Sequence, residues 1–581
     1  MIEKNLRVTF VSLTVKEDIG ALPLGAGCAA ASLVAAKLVS RADMSIVEAC
    51  VDDDEKELLL RIVETMPQVV GFSLYCWNST VFAALAARLK DSHPEILLIA
   101  GGPDAERFAP ERLGEEEPNR PCLFDALFLG EVEASLPAWF AEAAQTRTLG
   151  ARGEAAAAAA SENPNAAGKR GPAILRSRPR DAAALPSPWL EGILEPRRGG
   201  SVTWELTRGC PFRCAYCYEG RGSSGLRHFP TERLKKELEL FARSGVREVF
   251  VLDPTFNTQS ARVISLLSLF SERGGGIDWY FEIRAELLDR TQAEAFAAIP
   301  CSLQIGLQSV RPEVLKNIGR GINKKKFASK INLLNETGAV FGLDLIYGLP
   351  GDSLAGFRES LDFGLSLMPN HLDIFPLAVL PGTTLFSRRK EFSLEYGREP
   401  PYVLRSQPGF SAADMEAAAK LARACGIFYS KGRAVPWFLS VLKPLRLSPS
   451  AFLAGFDAEE TLAPRATPEE RGGTPRAPLS MGQAAIEALQ CAHLSRLYEK
   501  RGKSAMLPAA LDLVRYHGAW SRAFADGETS RLELSYPLYM VEGQEILDIE
   551  SFCVRNGRRP CSIEVKPTDR GPRARIVSRC E

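Results

Sequence analysis

From residue 201 to 380 the chain repeats one pattern, a short apolar run followed by an amphipathic stretch. The apolar runs are "SVTWELT" (201–207), "REVFVLD" (247–253), "IDWYFEIRA" (277–285), "CSLQIGLQS" (301–309), "VFGLDLIYGLP" (340–350) and "HLDIFPLAVL" (371–380). Helical stretches separate them at 231–245, 259–273, 290–298, 323–337 and 353–367. In the first of these Leu234, Leu238 and Phe241 fall on one face. A strand that returns through a helix pairs in parallel with its neighbour. Six such units in a row predict a parallel barrel or partial barrel, whose active face is the carboxyl end of the strands.

A second alternating series precedes this one. "LRVTFVSL" (6–13), "MSIVEAC" (44–50), "QVVGFSL" (68–74), "EILLIAGG" (95–102) and "FDALFLGE" (124–131) read as buried strands between short helices such as 27–40 and 79–92. The expectation is a doubly wound, Rossmann-like α/β domain over 1–146, with ligands beyond the carboxyl ends of its strands. Periodicity vanishes over 147–172, which is rich in Ala, Gly, Asn and Pro, so 147–190 is expected to be a flexible linker. The barrel is expected over 191–395. From 396 to 581 helical stretches (411–432, 481–502) and β-like pieces (531–537, 561–567) suggest a mainly helical α+β domain.

With 581 residues the chain exceeds what a single core organises. Lys plus Arg and Asp plus Glu each number 71, so no net charge draws the chain to nucleic acid or an anionic membrane. No apolar run approaches the ~20 residues of a membrane span. "MIEKNLRVTFVSL" is too charged for a secretory signal, and a cytoplasmic location is expected. Most of the thirteen cysteines are scattered; Cys28, Cys50, Cys76 and Cys122 are expected as small buried hydrophobes.

Three cysteines are not scattered. "GCPFRCAYCYEG" (209–220) places Cys210, Cys214 and Cys217 in the loop straight after the first barrel strand. A closed zinc or iron–sulfur site takes four protein ligands. His228 or a remote cysteine could complete one, but a second Cys pair or a Cys/His pair at the usual spacing is missing. The other reading is three thiolates holding a [4Fe–4S] cluster whose remaining iron is chelated by a small molecule.

The Cys-x3-Cys-x2-Cys spacing, with Tyr216 before the third cysteine, resembles the radical S-adenosylmethionine (SAM) superfamily. The resemblance implies that SAM chelates the open iron, and that an electron from the cluster cleaves it to a 5′-deoxyadenosyl radical. A flavodoxin or ferredoxin is the implied electron donor. It further implies Tyr216 against the adenine, and "LDPTFN" with Asp253 near the methionine amine. Glu282 and Arg284 would lie near the ribose and carboxylate, the alternative being an ordinary barrel-interior ion pair. Gln308 and Ser309 would meet the methionine carboxylate, and Ile346 with Gly348 would pack on adenine.

The front segments "PLGAGCAAASLVAAKL", "VVGFSLYCWN", "IAGGPDA" and "FLGEVEASLPAWF" resemble the cobalamin-binding domain of cobalamin-dependent radical SAM enzymes. By that resemblance Ser73, Tyr75, Trp77 and Asn78 lie near the corrin. Gly101, Gly102, Pro103, Gly130 and Glu131 let backbone approach the nucleotide tail. Many cobalamin domains carry Asp-x-His-x-x-Gly; here the only histidine before residue 150 is His93, in a loop at the opposite edge. Cobalamin is therefore expected without a histidine lower ligand. The implied activity is methyl transfer to an unactivated carbon. Radical cyclisation or rearrangement, and a non-catalytic cluster- or cobalamin-binding sensor, are the alternatives, and the substrate is not legible.

Overall fold

The computed structural model describes residues 6–15, 23–109, 123–145, 173–177, 179–219, 225–456, 481–569 and 571–579. Six strands form the first sheet: β1 (Val8–Thr14), β2 (Met44–Cys50), β3 (Val69–Ser73), β4 (Leu97–Gly101), β5 (Ala126–Leu129) and β6 (Ala173–Arg176). Their order is β2-β1-β3-β4-β5-β6, and every pairing is parallel. Helices Leu24–Ala35 and Val132–Gln145 accompany one apolar layer, with Phe10, Ala26, Ala29, Phe128 and Leu136 in its core. Phe72, Phe82, Leu85 and Phe124 belong to the other. Burial on both faces explains why these strands read as continuous apolar runs.

β6 corrects the expected linker. Within 147–190, residues 147–172 lie outside the described residues, but Ala173–Arg176 pairs with β5 as a sixth strand. Further along, Trp189 is buried and packs edge-on against Phe241. Ser187 donates to Glu237, a fully buried carboxylate that also accepts from Trp204 Nε1 at 2.7 Å and from Arg233 at 2.9 Å. The end of the supposed linker is thus part of a core.

The second sheet comprises β7 (Ser201–Trp204), β8 (Glu248–Val251), β9 (Asp278–Ile283), β10 (Cys301–Gln308), β11 (Val340–Tyr347) and β12 (His371–Pro376). The strands lie side by side in chain order, as a β/α partial barrel requires. Helix Thr231–Ser244 buries Leu234, Leu238 and Phe241 and ends on Gly245, whose φ of 72° stops the helix.

Two compact units divide the chain, and the boundary falls inside β10: residues 1–303 with 378–405 form one, and 304–377 with 406–581 the other. The expected borders at 191, 395 and 396 are therefore not the borders of packing. In the first unit, Leu385 N–H donates to Ala215 O at 2.7 Å and Tyr402 OH to Asp104 at 2.8 Å. In the second, the residues after 406 are joined to the last barrel strands. Ser430 both accepts from Leu372 N–H and donates to Leu372 O, Tyr429 OH donates to Pro369 O, and Ser450 binds Asp362. The second unit ends in a three-stranded antiparallel sheet, β13 (Ser530–Leu534), β14 (Cys561–Lys566) and β15 (Arg573–Arg579). Among the described residues no helix is long and apolar enough to cross a membrane.

Candidate active site

The cysteine loop leaves β7 through a two-residue ribbon in which Thr207–Arg208 pairs antiparallel with Arg227–His228. Gly209 follows with φ of 89°, a left-handed turn that delivers Cys210 into the loop. Beneath it Asp253, at the end of β8, accepts from the N–H groups of Leu206 (2.8 Å) and Thr207 (2.9 Å). This carboxylate is buried, and burial pushes its pKa up to about 7. Asp253 thus braces the chain entering the loop, while its neighbours Leu252 and Pro254 line the adjoining cavity.

The three cysteines are half-buried thiols in no disulfide. Cys217 N–H bonds Cys214 O at 3.1 Å, and Cys210 Sγ lies 3.8 Å from Thr255 Oγ1. Burial, then Glu219, then the other two thiols push Cys217 up to about 11. Among the described residues no three His, Cys, Asp or Glu side chains converge as the ligands of one metal ion do. Thiolates that each hold a different iron of a cluster need not converge. The donor set, three sulfurs and no fourth, fits a [4Fe–4S] cluster with one open iron. His228 Nδ1 is 3.0 Å from Thr207 Oγ1, while its buried Nε2 meets no hydrogen-bond partner, and among the described residues it joins no group of three metal-binding side chains.

A cavity of about 650 Å³ adjoins the loop. One wall is the carboxyl edge of the first sheet: Ser73, Tyr75, Gly101, Gly102, Pro103 and Gly130. The lining also includes Glu205, Thr207 and Arg208 ahead of the cysteine loop, Gly209 and Tyr218 within it, and Glu282 of β9. It further takes in apolar Phe10, Ile99, Phe128 and Leu136 and the small residues Ala26, Ala29 and Gly71. Gly102 has φ of 108°, and a Cβ there would sit 2.4 Å from Leu74 O, so the turn admits glycine alone. A chamber of this size, with glycines along one edge and apolar side chains in its lining, suits a bulky cofactor. No histidine is among the residues that line it.

Charge in the chamber centres on Arg208, which sequence reasoning missed. It contacts Glu133 at 2.7 Å, Glu205 at 2.8 Å and Glu131 at 3.5 Å, and its guanidinium approaches the Cys28 thiol at 3.8 Å. Burial opposes its charge, but Glu205 and Glu133 outweigh burial and hold it protonated. Glu131 is gripped in addition by Arg227, at 3.0 Å through one oxygen and by a second contact through the other. No local motif marks these partners, because Arg208 and Glu133 are far apart in sequence.

The remaining expected residues divide. Tyr75 lines the chamber and stacks on Trp77 at 4.4 Å, whereas Trp77 is 47% exposed and lies outside the lining. Asn78 is buried and ties loops together: it accepts from Tyr75 N–H and donates to Ser73 O and Leu13 O. Arg284 lies 3.7 Å above the Phe212 ring of the cysteine loop and pairs with Glu286 at 3.2 Å. In the second unit, Gln308 is buried at the end of β10 with φ of 65° and an amide oxygen that meets no donor. Ser309 is fully buried against Ser360 Oγ at 3.4 Å, and Ile346 is a half-buried residue of β11. Of the scattered cysteines, Cys28 is buried but lines the chamber, and Cys50 and Cys76 are only half-buried. Tyr216, half-buried in the loop, is not among the chamber's lining, and Cys122 lies outside the described residues.

A parallel partial barrel with three cysteines after its first strand defines a class, and residues 204–364 match the Radical SAM superfamily. The relatives are narrower. The cobalamin-dependent radical SAM methyltransferase TokK of Streptomyces tokunonensis is 28% identical over 397 residues, 62% of this chain and 55% of that protein. The 2-(S-pantetheinyl)-carbapenam-3-carboxylate methyltransferase of Streptantibioticus cattleyicolor is 26% identical, over 59% of this chain and 52% of that protein. The chain spans about half the length of these curated relatives. In fold it is similar to the cobalamin-dependent SAM radical enzyme OxsB, solved with aqua-cobalamin and SAM bound. There the TM-score is 0.52 at 15% identity, over 89% of this chain and 84% of that one.

Proposed function

We propose that the protein is a cobalamin-dependent radical SAM enzyme that transfers a methyl group to an unactivated carbon. One observation carries this reading: Gly209, Tyr218 and Glu219, which flank the three cysteines in their loop, line the same chamber as the glycine edge of the first sheet. Cys210, Cys214 and Cys217 would hold a [4Fe–4S] cluster, and Ser73, Tyr75, Gly101, Gly102, Pro103 and Gly130 would receive cobalamin. When bound, these groups supply the one-electron cleavage of SAM and the carriage of a methyl group.

The chain's own residues do the rest. Asp253 holds the backbone ahead of the loop, and Arg284 covers Phe212 within it. Arg208, fixed by Glu133 and Glu205, forms a rigid charged partition beside the loop and is not a mobile acid or base. Anaerobic reconstitution with iron, sulfide and cobalamin tests the reading. Incubation with methyl-deuterated SAM should transfer label to protein-bound cobalamin, and uptake of cobalamin with no label transfer would remove methyl transfer.

A further inference from the structure

The second unit ends in a surface that the proposed chemistry does not use. β15 is the outermost strand of its sheet, paired with β14 on one side and with no strand on the other among the described residues. An unpaired edge presents a row of backbone N–H and C=O groups that another extended chain can take up. Ile563 pairs with Ile576 and Ser562 with Ser578, so Val577 is an extra residue in a β-bulge. At the bulge Ile576 is 40% exposed and Val577 51%.

Charge sets this edge apart from the rest of the molecule. Residues 555–579 hold eight Lys or Arg against two acids, in a chain whose net charge is zero. Exposed Arg573 and Lys566 are paired across the strands at one end. At the other end exposed Arg558 and Arg559 lead into Cys561, which pairs with Arg579. Arg575 and Arg531 share Glu564, at 2.6 and 3.1 Å, leaving that row with one positive charge in excess. Charged residues alone can guard an edge against aggregation. Here exposed Ile576 and Val577 lie on the same strand as those charges.

We propose that β15 is a docking edge for an acidic peptide segment, which adds to the sheet as a fourth strand. Backbone pairing supplies the grip, the cationic rim selects acidic sequence, and Ile576 and Val577 meet apolar side chains between the acids. A nucleic acid would use the cations but has no amide backbone to pair with the edge. The inference stands independently of the radical chemistry.

The test uses the full chain and a decapeptide of alternating Glu and Val. Hydrogen–deuterium exchange should show amides of 573–579 slowed at least tenfold on peptide addition. Arg573→Glu should weaken binding at least tenfold, as should N-methylation of alternate peptide amides, while SAM cleavage stays unchanged. Equal binding of the N-methylated peptide would overturn the proposal. So would an oligonucleotide that binds as tightly and gives the same protection.

Discussion

Replacing Asp253 tests how the cysteine loop is held. Its carboxylate accepts two buried backbone N–H groups, those of Leu206 and Thr207. Asp253→Ala leaves both unmet, at a cost of ~1–3 kcal/mol each and ~2–6 kcal/mol together. Asp253→Asn keeps an acceptor oxygen and removes the titration. Burial raises this carboxyl from 3.8 to about 7 on folding. The stability it contributes is therefore full below pH 3.8 and is lost as pH rises through about 7. The stability difference between Asp253→Asn and wild type should shift by about 3 kcal/mol in favour of Asn between pH 5 and pH 8. Thermal unfolding of the cluster-free protein at those two pH values reads this shift, and iron content after reconstitution reads the loop. The Ala variant should melt lower at both and incorporate less iron. An Ala variant as stable as wild type, or an Asn variant with no pH-dependent difference, would refute the brace.

Other changes probe the chamber. Arg208→Gln strands Glu133 and Glu205 without their cation and should cost ~3–5 kcal/mol, seen as a lower Tm and weaker cobalamin uptake. Gly71→Val puts a Cβ 2.5 Å from the Phe10 ring, so the ring must move within the lining. Overpacking of that kind costs ~1–3 kcal/mol, and cobalamin uptake, followed by absorbance, should fall while cluster content persists.

The second sheet was legible almost strand by strand, because its strands carry a buried apolar row, as in β9, where Trp279, Phe281 and Ile283 are buried. β6 was not: "AILR" is four residues long, with exposed ends, and follows a run without periodicity. β15 was hidden because arginines at 573, 575 and 579 mask its pattern. The site shows the same division. The cysteine trio is local and could be read from spacing, whereas Arg208 gains meaning only from Glu131 and Glu133, which the fold brings to it. Asn78 and Ser309 also make hydrogen bonds within the chain, which their positions beside a motif did not reveal.

The central claim rests on the three thiols, and formation of 5′-deoxyadenosine tests it most directly. Anaerobically reconstituted, reduced wild-type protein should convert SAM to 5′-deoxyadenosine, and Cys214→Ala should abolish that product while leaving the fold intact by circular dichroism. Undiminished 5′-deoxyadenosine from Cys214→Ala would contradict the account.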